Sequence, residues 1–159
     1  MNALALLLLT LPTQATAESP ASTETTEFDA GAAADAMIES LRPQLENPKK
    51  IMRLHVTFVV PEEHEQQFLD LFKMATLKTR TEPGNITYFM SKVAGEETPT
   101  YILFETWKSL DALDEHMHTD YLAEVLETLP EITESVDLKV MTPVLTKEHR
   151  KPSMKKMKK

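Results

Sequence analysis

The chain of 159 residues contains no cysteine. That absence removes disulfides, thiolate nucleophiles, cysteine-type zinc sites and iron–sulfur clusters, and leaves oxygen and nitrogen chemistry. Length for a second full domain is also lacking: with 42% hydrophobic and 26% charged residues, the composition suits one globular domain with one core. Positive charge is scarce over most of the chain. The formal net charge is −8, yet seven of the 17 Lys and Arg residues lie at or beyond Lys147, against a single acid there, Glu148. The body is therefore more acidic than the total. Binding to a phosphate backbone needs a basic face, so nucleic acid is not an expected partner, and residues 147–159 read as a basic, disordered tail.

No apolar run is long enough to cross a bilayer as a helix. The longest, Ala3 to Leu11, is followed by Pro12 and by Ala15-Thr16-Ala17, the small-x-small pattern of a signal-peptidase site. Residues 1–17 therefore read as a signal peptide cleaved near Ala17, giving a secreted or periplasmic protein without stable membrane insertion. No Lys or Arg precedes the run, so the terminal amine is its sole positive charge. Residues 18–29 are rich in Ser, Thr and Glu and offer too little apolar surface to offset the entropy of ordering them. Residues 18–49 are read as a linker. Within it, Ala33, Met37, Ile38 and Leu41 share one side of a helical segment before Pro43 stops it, leaving either a short helix packed on the domain or a tether.

The domain is expected over residues 50–146. Residues 51–60 alternate, with Met52, Leu54, Val56, Phe58 and Val60 on one face and Ile51, Arg53, His55, Thr57 and Val59 on the other. Pro61-Glu62-Glu63 suits the first turn of a helix running to about Thr79 and burying Phe68, Leu71, Phe72 and Ala75. Pro83-Gly84 breaks the chain ahead of two strands, residues 85–93 and 100–107, which form a hairpin. Ser109 is a plausible N-cap for a helix carrying Leu110, Leu113 and Met117, continued by a second segment from Asp120 with Leu122, Val125, Leu126 and Leu129. A last strand, residues 135–144, turns Val136, Leu138 and Val140 inward. The order β-α-β-β-α-β is that of an α+β, ferredoxin-like split βαβ fold, an antiparallel sheet with helices on one face. Tyr101, Leu103, Glu105 and Trp107 are assigned to the uncovered face with Ile51, His55 and Val59. That face is too apolar to stay wet, and a homodimer packed sheet to sheet is expected.

Several pieces in order carry a likeness: Glu82-Pro83-Gly84 followed by Tyr88, then Phe104-Glu105-Thr106-Trp107-Lys108-Ser109, then His116 and Asp120-Tyr121. Together they make residues 52–144 resemble the antibiotic-biosynthesis monooxygenase domain. The resemblance implies a dimeric α+β barrel with a pocket in each subunit between sheet and helices. It further implies a cofactor-independent monooxygenase of a small quinol-like or phenolic substrate: the deprotonated substrate itself reduces dioxygen, and the site needs a base and an aromatic wall but no metal or other cofactor. Haem-degrading relatives use an asparagine on the first strand, where this chain offers Arg53, His55 and Thr57, and the acidic body disfavours the phosphorylated-sugar substrates of another branch.

The candidate catalytic residues are His116, as base or substrate ligand, and Trp107, lining either the pocket or the dimer seam. On a helical wheel His116 falls at the edge of the buried stripe, where a histidine can also simply bond a strand end. His55, Tyr101, Glu105 and Tyr88 are candidate substrate-binding residues. His55 competes with a role at the dimer interface, Tyr88 with a role in the core, and Glu105 is expected to pair with Arg53 or Lys139. His116 and His118, two apart on a helix, diverge and form no metal site. The alternative to an enzyme is a non-catalytic small-molecule-binding or structural dimer of the same fold.

Overall fold

The computed structural model describes residues 28–142. The proposed signal peptide, most of the Ser/Thr/Glu-rich linker and the basic tail lie outside them. The first element is α1 (Ala30–Leu41), started by the Asp29 carboxylate, which accepts from Ala32 N–H at 2.9 Å. The segment is a packed helix: Ala34, Ile38 and Leu41 are buried. A single 3₁₀ turn at Arg42–Gln44 holds Pro43.

The domain then runs β1 (Met52–Val59), α2 (Glu65–Thr79), β2 (Asn85–Lys92), β3 (Thr100–Trp107), α3 (Leu110–Met117), α4 (Asp120–Ile132) and β4 (Ser135–Val140). The sheet is antiparallel with strand order β2-β3-β1-β4, the ferredoxin-like α+β arrangement. Pro61 and the acids after it form a 3₁₀ turn that leads into α2. The hydroxyl of Ser109 caps α3, accepting from Ala112 N–H at 3.2 Å. No helix among the described residues is long and apolar enough to cross a membrane.

The register overturns one expectation. Strand β3 lies beside β1 with Trp107 opposite Met52, Glu105 opposite Leu54, Leu103 opposite Val56 and Tyr101 opposite Phe58. Directly opposed residues project to the same side of a sheet, so Tyr101, Leu103, Glu105 and Trp107 face the helices rather than the uncovered side. Strand β2 adds Tyr88, opposite Glu105, and β4 adds Val136, Leu138 and Val140. The core lies between this face and the helices, with Phe58, Phe68, Phe72 and Tyr101 clustered at one end.

The uncovered face carries Arg53, His55 and Thr57 of β1, Ile102, Phe104 and Thr106 of β3, and Phe89 of β2. Three rings stack across it: His55 on Phe104 at 5.1 Å and Phe104 on Phe89 at 5.0 Å between centroids. Phe104 and Phe89 are 37% and 44% exposed, apolar area that a solvated sheet face rarely presents.

Candidate active site

His116 sits on the penultimate position of α3, and α3 is oriented by the Ser109 cap and by Leu110 and Leu113, buried beneath it. The wheel put His116 at the rim of the buried stripe, but only 3% of it is exposed. Neighbouring elements wrap the ring. Trp107 of β3 lies against it at 4.5 Å between centroids, while Tyr88 and Tyr121 approach edge-on at 5.9 and 6.0 Å.

The polar partner of His116 is Glu82, in the turn between α2 and β2. Its carboxylate oxygens stand 3.0 and 3.1 Å from Nδ1 of His116, and the Tyr121 hydroxyl also donates to this carboxylate. That hydroxyl is 3.2 Å from Nδ1 and 3.0 Å from the Thr79 hydroxyl. Burial pushes the pKa of His116 below the ordinary histidine value, against a smaller upward pull from Glu82. The ring is therefore neutral at pH 7. With a carboxylate on Nδ1, the favoured tautomer carries its proton there and leaves the Nε2 lone pair as a base. The turn that delivers Glu82 depends on Gly84: a Cβ at this position would stand 2.5 Å from the Cβ of Ala112 at the start of α3, so only glycine allows the turn to sit this close.

Glu105 is buried and accepts from the indole N–H of Trp107 at 2.8 Å. Burial raises its pKa to about 7, the Trp107 bond opposes this, and the nearby Glu82 adds to the rise. The expected pairing with Arg53 or Lys139 does not form, because both cations lie on the opposite face of the sheet. Tyr88, beside Glu105, has its hydroxyl pKa pushed well up, first by burial and then by the Glu105 charge.

Between sheet and helices lies a cavity of about 60 Å³. Its lining is apolar, from Leu54, Val56, Leu113, Met117 and their neighbours, and its acid–base groups are Glu105, His116 and Tyr88. Three of the six candidates thus share the cavity. Trp107, fully buried, stands behind His116 and Glu105 and holds both, without lining the cavity itself. Tyr101 is at the other end of β3, its ring on Phe68 and its hydroxyl on Glu65. His55 is on the opposite side of the sheet, stacked on Phe104. Glu82, Tyr121 and Thr79 complete the polar network and were not singled out as site residues. The signal for Glu82 was its place before Pro83-Gly84, a turn whose glycine is forced by close packing.

His118, at the end of α3, points away from His116. Its Nε2 stands 3.2 Å from Asp35 of α1 and its Nδ1 3.2 Å from Asp114. Among the described residues this is the group whose ligand atoms lie close enough for a metal ion, but both ring nitrogens already meet carboxylates; the Asp114 backbone carbonyl first, and then the Asp114 and Asp35 carboxylates, raise the His118 pKa.

A buried histidine held by a carboxylate and a carboxyl of raised pKa thus share an apolar cavity in a ferredoxin-like domain of the α+β class. Residues 51–128 match the model of the antibiotic biosynthesis monooxygenase family, a match that spans just under half of the chain. An uncharacterized protein of Synechocystis sp. is 30% identical over 73 residues, 46% of this chain and 49% of its own length, so the chain spans about half the length of the curated relative it matches. Among solved structures, a Mycobacterium tuberculosis protein superposes with a TM-score of 0.57 at 21% identity, over 62% of this chain and 99% of its own. A structure described as an antibiotic biosynthesis monooxygenase gives 0.54 at 20% identity, over 59% and 99%. At these identities the structural likenesses speak for the fold.

Proposed function

We propose that the protein is an exported, cofactor-independent monooxygenase of a small phenolic or quinol-like molecule. The observation that carries this reading is the neutral, Glu82-held His116 on an apolar cavity it shares with Glu105, a carboxyl whose pKa is raised to about 7. A base must be unprotonated before it can take a proton, which the lowered pKa of His116 favours, and an apolar enclosure favours proton transfer to it over solvent exchange.

Hydroquinone illustrates the chemistry. Nε2 of His116 takes the phenolic proton. The resulting anion gives one electron to dioxygen, and the superoxide and phenoxyl radical combine to form a carbon–oxygen bond at a ring carbon bearing hydrogen. His116 returns its proton to the peroxide. Loss of the ring proton and cleavage of the O–O bond then leave a new carbonyl and water, so hydroquinone and dioxygen become hydroxybenzoquinone and water. The substrate supplies every electron. In this reading Glu82 stabilises the imidazolium, Tyr88 and Glu105 bind the substrate oxygens, and Trp107 fixes Glu105.

The working unit in this reading is a homodimer through the open sheet face. Its support is the His55–Phe104–Phe89 stack, in which Phe104 and Phe89 are exposed. Export rests on residues 1–17, which lie outside the described residues.

Oxygen consumption by metal-free protein with hydroquinone tests the reading. The expected result is uptake above the protein-free rate, falling by about a hundredfold or more in His116→Ala. Equal uptake by both proteins removes His116 from the mechanism. The cavity volume favours one alternative, a non-catalytic binding or structural dimer: about 60 Å³ is well below the roughly 150 Å³ that holds a benzene ring. A folded protein that never consumes oxygen with any phenol meets that description.

A further inference from the structure

One residue in the cavity wall precedes the family domain. Met37 lines the cavity from α1, whereas the family match begins at residue 51. The rest of the wall belongs to the sheet and to α2, α3 and α4. Helix α1 lies across α3 and α4, the two helices that carry His116 and Tyr121. Its seat consists of Ala34, Ile38 and Leu41, with Met37 partly buried beside them. On the outer surface its charged link to α3 is the bridge from Asp35 to His118.

This attachment is slight compared with that of the sheet. A short helix held by three buried side chains and one exposed ion pair opens at a lower free energy than strands paired on both sides. The residue it inserts is also the most adaptable of apolar side chains, unbranched and with three rotatable bonds. The cavity behind it, about 60 Å³, must grow about two and a half times before it admits one aromatic ring. Room is gained most easily where the wall is least firmly held, and that is at α1.

We propose that α1 is the gate of this pocket and that Met37 sets the size of the aromatic molecule the pocket admits. The inference rests on reading the cavity as a ligand site, but not on turnover. With methionine at position 37 the pocket takes a single-ring phenol when α1 lifts. A smaller residue there makes space for a second fused ring, and a larger, stiffer one fills the space.

Binding to the full chain by calorimetry, with hydroquinone and 1-naphthol as probes, tests this. Met37→Ala is expected to bind 1-naphthol about tenfold tighter than wild type does, and Met37→Phe to bind hydroquinone about tenfold more weakly. Circular dichroism checks that each variant is folded; should Met37→Ala not fold, Met37→Phe decides. Amide hydrogen exchange on wild type gives a separate readout. The gate requires α1 amides to exchange faster than those of β1 and β3, and to slow when hydroquinone is bound. Folded variants that bind both probes as wild type does, or α1 amides that exchange only with the whole domain, overturn the proposal. Probe binding without oxygen uptake instead sinks the monooxygenase reading and leaves the gate standing. Uptake that is indifferent to residue 37 does the reverse.

Discussion

Replacing Glu105 with glutamine should stabilise the protein, and by an amount that depends on pH. Glutamine keeps the size of the side chain and an oxygen to accept the Trp107 N–H, but cannot ionise. In the folded protein Glu105 has its pKa raised from 4.5 to about 7, chiefly by burial. Below about pH 4 the carboxyl is protonated whether the chain is folded or not, and it carries no penalty. As pH rises from 4.5 towards 7 the unfolded chain ionises first, the folded protein holds the extra proton, and stability falls. Above 7 both forms are ionised and the full cost of a buried carboxylate is present. A shift from 4.5 to about 7 at about 1.4 kcal/mol per pH unit corresponds to about 3 to 4 kcal/mol in full. The stability difference between Glu105→Gln and wild type should therefore grow by about 3 kcal/mol between about pH 4 and pH 8. His116, whose lowered pKa acts in the opposite direction as pH falls, is common to both proteins and largely drops out of the difference. Urea unfolding followed by the fluorescence of Trp107, the sole tryptophan and fully buried, gives the free energies directly, with equal slopes confirming comparable unfolding. A difference that stays constant across that range would refute both the burial of a titrating Glu105 and its role as an acid–base group.

Gly84→Ala puts a methyl group 2.5 Å from the Ala112 Cβ, and should lower stability by about 2 kcal/mol in denaturant titrations; Ala112→Gly in the same chain should restore part of it. Tyr121→Phe removes a donor to the Glu82 carboxylate. It should cost about 2 kcal/mol of stability and slow oxygen uptake less than His116→Ala does, as seen with an oxygen electrode. Phe104→Glu places a charge in the centre of the His55–Phe104–Phe89 stack and should yield a protein that sediments as a single copy while keeping its circular dichroism. A dimer that survives this change must use another surface.

The elements were legible because periodicity states them twice, in spacing and in punctuation: β3 and the Ser109 cap fall where alternation and capping chemistry put them. What alternation cannot state is which way a strand faces. Tyr101, Leu103, Glu105 and Trp107 necessarily share a side, but Ile102 and Phe104 make the other side of β3 nearly as apolar. The choice is made by register, through the pairing of Met52 with Trp107, a long-range fact with no local trace. The wheel misplaced His116 for a related reason. It measures the angle on one helix, whereas burial of His116 comes from Trp107 on β3 and Tyr121 on α4. Glu82 escaped because a carboxylate in a Pro-Gly turn resembles any solvated turn residue until Gly84 is seen pressed against Ala112.

The corrected facing of β3 separates two roles that the sequence had merged. With Trp107 and Glu105 on the helix side, the groups to which the proposed function gives acid–base roles, Glu82, Glu105 and His116, meet within one chain. Phe104, one residue from Glu105, projects to the opposite surface, as His55 does beside Leu54. Each strand thus presents alternate residues to the cavity and to the open face, and the cavity floor is the back of the proposed interface. Covering that face would stiffen β1 and β3, and with them the Glu105–Trp107 hydrogen bond, without adding a side chain to the site. A change at Phe104 should therefore act on assembly first and reach the chemistry only through the rigidity of the sheet, whereas changes at Glu82, Glu105 or His116 should alter the chemistry in a chain that assembles normally.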